Sequence, residues 1–116
     1  MKYTLNKGIK PLLWYNSSTN WIGPGPLFRL NKKQDREKEY AWLSEMGIAG
    51  IKVDFFSGDS VSTMNYYIDL LEDAIKYKLM LNFHGATIPR GWQRTYPHMM
   101  SIEGYMAPNG IITLQY

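Results

Sequence analysis

The chain has 116 residues, 45% of them apolar, enough for one small domain and too few for two. Its 13 lysines and arginines against 10 aspartates and glutamates leave a net charge of +3, with the basic residues scattered rather than gathered into a stripe, so nothing marks a nucleic-acid partner. There is no cysteine, which excludes a disulfide framework, a thiolate metal site and a cysteine nucleophile, and leaves oxygen and imidazole as ligands for any metal.

The amino-terminal MKYTLNKGIKPLLWYN carries only LLWY as an apolar stretch, so no secretion signal is visible there. No apolar run approaches the roughly 20 residues of a membrane helix, and no membrane partner is expected. KPLLWYNS, from Lys10 to Ser17, reads as a buried strand running into polar turn residues. The prolines and glycines of NWIGPGPLFRLN then forbid regular structure. From Lys32 to Met46 charges dominate, while Tyr40, Leu43 and Met46 recur at helical spacing, which predicts a helix with one apolar face closed by Gly47. The KK pair and the REKE run are expected to be its solvated side.

IAGIKVDFF is β-branched and aromatic and predicts a second strand. Asp59 or Ser60 can cap a second helix, whose buried stripe is expected at Val61, Met64, Ile68, Leu71 and Ile75. KLMLNFHGA predicts a third strand, TIPRGWQRTYP a loop, and MMSIEGYMA and IITLQY two further strands around the turn APNG. Strand, helix, strand, helix, strand is an α/β pattern that implies a parallel sheet covered by helices. Both a doubly wound sheet and a (β/α)8 TIM barrel fit it. Asn16, Asp54, His84 and Glu103 stand at or near the carboxyl ends of the predicted strands, which in a barrel converge on one site.

Asp54 interrupts an otherwise apolar strand. It can cap a turn, form a buried ion pair with Lys52, which the two-residue strand period sets on the same face, or serve as a carboxylate nucleophile. His84 can be a satisfied structural histidine or a hydrogen-bond donor to a substrate hydroxyl. Glu103 can be a solvated loop carboxylate, an acid or base, or a ligand for a hard cation. HGAT lacks phosphate-cradle spacing and GPGP is too proline-rich to present successive backbone N–H groups, so nucleotide binding has little support. With 15% aromatic residues, four of them tryptophan, the chain is equipped to stack on sugar rings or to fill a core.

Taken together, LLWYNS, EYAWLSEMGIAGIKVDFFSGD, YYIDLLEDAIKYKLMLNFHGATIPRGWQRTYP and MMSIEG resemble, in family order over residues 8 to 104, the catalytic barrel of glycoside hydrolase family 97. The resemblance implies an exo-acting α-glycosidase, of α-galactosidase or α-glucosidase type, that uses calcium and acts on terminal α-linked sugars of an oligosaccharide or glycoside. It also implies that the aspartate of the KVDF motif, Asp54, is the nucleophile of the retaining branch. In the inverting branch a base glutamate stands just after the strand histidine, where this sequence has Gly85. On the same footing His84, Lys52 and Trp14 are expected to meet the substrate, with Lys52 keeping Asp54 ionised, and Glu103 to bind calcium. Full-length members are expected to be periplasmic or secreted.

The resemblance implies an acid/base glutamate six residues beyond Glu103, where this sequence has Asn109, and an amide cannot deliver a proton. The family likeness ends at Gly104, so residues 1–104 are expected to be a partial barrel segment and 105–116 a divergent tail. A complete barrel takes about 200–250 residues, so roughly half of one is expected, inactive in isolation and prone to self-association through open sheet edges. The alternatives are a non-catalytic carbohydrate-binding remnant using Trp14, Trp21 and Trp92 as platforms, or a truncated product without function.

Overall fold

The computed structural model describes residues 2–17, 30–56 and 58–104. Four strands, β1 (Leu12–Asn16), β2 (Gly50–Asp54), β3 (Met80–Ala86) and β4 (Met99–Gly104), lie in one sheet in the order β1-β2-β3-β4, each neighbouring pair parallel. A doubly wound sheet reverses its strand order at a switch point, whereas a (β/α)8 barrel adds each strand beside the last. The consecutive order therefore decides between the two sequence readings: this is a partial barrel wall. The expected strand IITLQY, and with it Trp21 and Asn109, falls outside the described residues.

Helix α2 (Lys33–Glu45) connects β1 to β2, and α3 (Val61–Lys76) connects β2 to β3. A short helix, α1 (Lys2–Asn6), precedes β1 without a clear signal in its residues. Between β3 and β4 the chain makes only a 3-10 turn at Trp92–Arg94. Both long helices cover the same face of the sheet. Tyr40 and Leu43 of α2 and Tyr67, Leu70, Leu71 and Ala74 of α3 are fully buried together with Ile51, Val53, Leu81 and Phe83 of the strands. At about 25 cal/mol per Å2 of apolar surface removed from water, this single layer is the main source of stability.

The end of α2 follows from Gly47, whose φ of 75° is open to glycine at little cost. That turn lets the Gly47 amide donate to the Ser44 carbonyl and the Ile48 amide donate to Leu43, the paired bonds of a Schellman stop. Ser60 caps α3 by accepting from the Thr63 amide at 3.2 Å. The buried stripe of α3 is rotated from the expected one. Val61 and Ile75 are exposed, and Thr63, Tyr67, Leu70, Leu71 and Ala74 face the sheet. Counting aliphatic residues alone overlooked Tyr67. Its ring stacks on Phe56 at 4.1 Å and meets Phe83 and Trp92 at 5.1 Å, while its hydroxyl accepts from the Thr87 amide. Burial raises the pKa of Tyr40, Tyr66 and Tyr67 above the usual phenol value, so all three stay protonated well beyond neutral pH.

The REKE run also departs from expectation, because Arg36 is only 2% exposed. Its Nε and Nη2 both donate to Asp73 Oδ2, at 2.8 and 2.6 Å, and its Nη1 donates to the Leu30 carbonyl at 2.7 Å. One guanidinium thus ties α2 to α3 and to the segment entering α2. Sequence spacing could not show this, since the partner lies 37 residues away.

Breaking a buried ion pair on one side leaves the other charge stranded. Asp73→Asn is expected to lower the unfolding free energy by about 3–5 kcal/mol in urea denaturation, while the double replacement Arg36→Met with Asp73→Leu recovers most of that loss.

Candidate active site

The face of the sheet away from the helices carries every second strand residue. In register across it stand Trp14 beside Lys52 and Asn16 beside Asp54, then Lys52 beside Asn82 and Asn82 beside Ser101. Asp54, His84 and Glu103 follow at the carboxyl ends of β2, β3 and β4. All five residues singled out from the sequence, Trp14, Lys52, Asp54, His84 and Glu103, therefore lie on one surface, as the two-residue strand period demands.

Asp54 is the most enclosed of them, at 5% exposure. Its Oδ1 accepts from the Phe55 amide at 2.9 Å and its Oδ2 accepts from the Trp14 indole Nε1 at 3.1 Å. His84 Nδ1 lies 3.2 Å from Oδ1 and 3.1 Å from Oδ2. On the other side of the ring, His84 Nε2 stands 2.5 Å from Glu103 Oε2, an oxygen that also accepts from the Gly85 amide at 3.4 Å. The result is a chain from carboxylate to imidazole to carboxylate across three strands. A neutral imidazole has one N–H and can donate to one of these carboxylates, whereas donating to both takes the imidazolium. In this arrangement both ring nitrogens of His84 are spent within the protein rather than offered to a ligand.

Lys52 is not among the partners of Asp54, so the expected lysine–aspartate pair is replaced by neutral donors and a histidine. It sits one strand repeat below, half-buried on the open face. Trp14 is 54% exposed and presents one edge to Asp54, with Phe55 edge-on to its ring at 5.9 Å. Trp92, the other platform in the described residues, packs on Tyr67 as part of the helix-side core.

Two backbone features that the sequence did not announce make the site. Phe55 has a φ of 61°, a left-handed conformation that a bulky residue adopts only under constraint. It turns the chain sharply after β2, directly beyond the amide that donates to Oδ1. The Ser17 hydroxyl holds that turn by donating to the Phe55 carbonyl at 2.6 Å, while the Ser17 amide donates to the Asp54 carbonyl at 2.8 Å and the Phe56 amide to the Gly85 carbonyl at 3.1 Å. Gly85 is the second feature, with a φ of 49°. A Cβ there would stand 3.0 Å from Asp54 Oδ1 and 3.3 Å from the Phe55 nitrogen. A side chain at 85 and the Asp54 carboxylate therefore compete for one volume.

Among the described residues no group of three or more histidines, aspartates and glutamates is placed to hold a metal. Calcium takes six to eight oxygens, and among the described strand residues Glu103 is the one carboxylate on this face apart from Asp54. The described residues do not by themselves make up a calcium shell.

Over residues 1–105 the sequence matches the family described as Glycoside hydrolase 97. It is 40% identical over 75 residues to a probable retaining alpha-galactosidase of Streptomyces bingchenggensis, covering 65% of this chain and 12% of that protein. It is 35% identical over 101 residues to a retaining alpha-galactosidase of Bacteroides thetaiotaomicron, covering 83% of this chain and 14% of that protein. The fold is similar to a crystal structure of a beta-arabinopyranosidase, with a TM-score of 0.79 and 44% identity over 90% of this chain and 17% of that one. The chain thus spans about an eighth to a sixth of the proteins it matches.

Gly85→Ala forces the left-handed position onto a Cβ and crowds Asp54. It is expected to cost about 1–2 kcal/mol in urea denaturation, more than an alanine at an ordinary glycine would.

Proposed function

The chain belongs to glycoside hydrolase family 97, and from that membership we propose that its strands carry the nucleophile side of a retaining exo-α-glycosidase site, with Asp54 as the attacking carboxylate. The observation that carries this reading is the geometry of Asp54. It is a 5% exposed carboxylate at the carboxyl end of a barrel strand, held by the Trp14 indole of β1, the Phe55 amide after β2 and His84 of β3. A structural aspartate that merely capped a turn would need the Phe55 amide alone.

In the retaining reaction an Asp54 oxygen forms a bond to the anomeric carbon from the face opposite the leaving group, whose bond to that carbon breaks with its electron pair. An acid protonates the departing oxygen, and water then cleaves the glycosyl–aspartate with the same group as base. Asn109 cannot serve as that acid, so hydrolysis of poor leaving groups by this chain alone is not expected. Lys52, on the open face one strand repeat below Asp54, would meet a sugar hydroxyl. His84 meets a hydroxyl only when one of its two carboxylate bonds opens. Glu103 would contribute one oxygen to a calcium ion whose other ligands lie outside the described residues, and no step here depends on it. A terminal α-galactoside is the substrate we favour over an α-glucoside, because the Streptomyces and Bacteroides relatives are named as alpha-galactosidases.

A fluorinated α-galactosyl fluoride tests the nucleophile independently of residue 109, because fluoride departs without a proton donor. Peptide mass mapping is expected to place one glycosyl group on Asp54, and none on Asp54→Asn. A label on another carboxylate, or none at all, would sink the assignment. Running the matching arabinopyranosyl fluoride beside it asks whether the site also accepts a ring without the exocyclic carbon, a question raised by the similarity to the beta-arabinopyranosidase.

The open face also exposes Leu12, Trp14 and Met80, so we propose that the chain on its own self-associates through it. Sedimentation velocity is expected to show species larger than a monomer, and a single monomeric boundary across a tenfold concentration range would refute this.

A further inference from the structure

We propose that Trp14 is a positioning residue that holds Oδ2 of the Asp54 carboxylate in the orientation for attack. The inference deepens the site reading above and rests on Asp54 being the nucleophile.

The terminal torsion of an aspartate is broad and roughly two-fold, so burial alone does not decide which way its oxygens face. Each oxygen needs a directional donor of its own. The Phe55 amide supplies one to Oδ1 at 2.9 Å. His84 Nδ1, at 3.2 and 3.1 Å from the two oxygens, straddles them and cannot hold one against the other. The Trp14 indole is the donor that addresses Oδ2 alone, at 3.1 Å. An indole N–H donates and never accepts, so this bond has a single polarity and cannot invert.

The indole is itself held. Trp14 lies within β1, paired in register with Lys52 of β2, and the Phe55 ring meets it edge-on at 5.9 Å with an interplanar angle of 76°. Phe55 thus serves both oxygens: its amide donates to Oδ1, and its ring braces the indole that donates to Oδ2. A carboxylate gripped at both oxygens is pre-oriented, and loss of such orientation slows a step without weakening binding. A sugar platform behaves the other way, since removing it weakens binding and leaves the step unchanged.

Trp14→Phe keeps a flat ring against Phe55 and removes only the N–H. In the labelling reaction on the whole chain, the saturating rate of Asp54 glycosylation is expected to fall about 10- to 100-fold while half-saturation by the galactosyl fluoride stays within about twofold. A raised half-saturation with an unchanged rate makes Trp14 a platform and overturns the proposal, as does a variant that labels like the parent. Near-UV circular dichroism checks that the variant is folded. A second measurement does not depend on activity. In protein with nitrogen-labelled tryptophan, the Trp14 indole proton resonance, assigned by its loss in Trp14→Phe, is expected to move upfield in Asp54→Asn. An unmoved resonance overturns the proposal. Absence of label in the parent chain together with a resonance that does move would instead refute Asp54 as nucleophile while leaving its bond to Trp14 in place.

Discussion

Parallel pairing of β2 with β1 and β3 is the constraint on which the rest of this structure depends. In a parallel sheet with helical crossovers all strands point the same way, so their carboxyl ends share one rim and alternate residues share one face. Once Asn16 is opposite Asp54 and Val53 opposite Phe83, the two faces of the sheet have separate tasks. Ile51, Val53, Leu81 and Phe83 go to the helices, and Trp14, Lys52, Asn82 and Ser101 to the open side. A slip of one residue in β2 would bury Lys52 among the tyrosines of α3 and strand the Asp54 carboxylate away from every donor it now has.

The helix layer that enforces this pairing is held by more than apolar contact. Arg36, Asp73 and the Leu30 carbonyl form a polar lock between α2 and α3, inside a layer otherwise built from Tyr40, Leu43, Leu70 and Leu71. At the rim, the Ser17 amide on Asp54 and the Phe56 amide on Gly85 continue the strand pairing past the last regular residue. These bonds permit Phe55 to keep its left-handed backbone. Strain next to a carboxylate, in a frame that over-determines it, belongs with a site rather than with a turn. The empty side-chain position at Gly85 completes it, because the space a Cβ would take is held by the Asp54 carboxylate.

Much of the fold was legible because the relevant signals are local. The turn chemistry of Gly47 and Ser60, the aliphatic run of β2 and the polar ends of β2, β3 and β4 can each be read within a few residues. The rotation of α3 was not legible, because Tyr67 counts as polar in a pattern and as a large apolar ring in the core. Arg36 was misplaced among solvated charges for a related reason, since its burial depends on Asp73 across the helix interface. The site divides the same way. Asp54, His84 and Glu103 could be named from their positions at strand ends, but not the order in which they touch.

The sequence by itself determined the α/β class, the succession of elements, the family and the residues that stand at the rim, because strand period, helix caps and motif residues are properties of neighbouring positions. Only the tertiary structure decided that the strands add in order rather than reverse, that Lys52 leaves Asp54 to Trp14, Phe55 and His84, and that His84 bridges two carboxylates. Those outcomes rest on register and on backbone angles at Phe55 and Gly85, where residues from 19 (His84 and Glu103) to 40 (Trp14 and Asp54) positions apart are brought within hydrogen-bond reach and no local pattern carries the information.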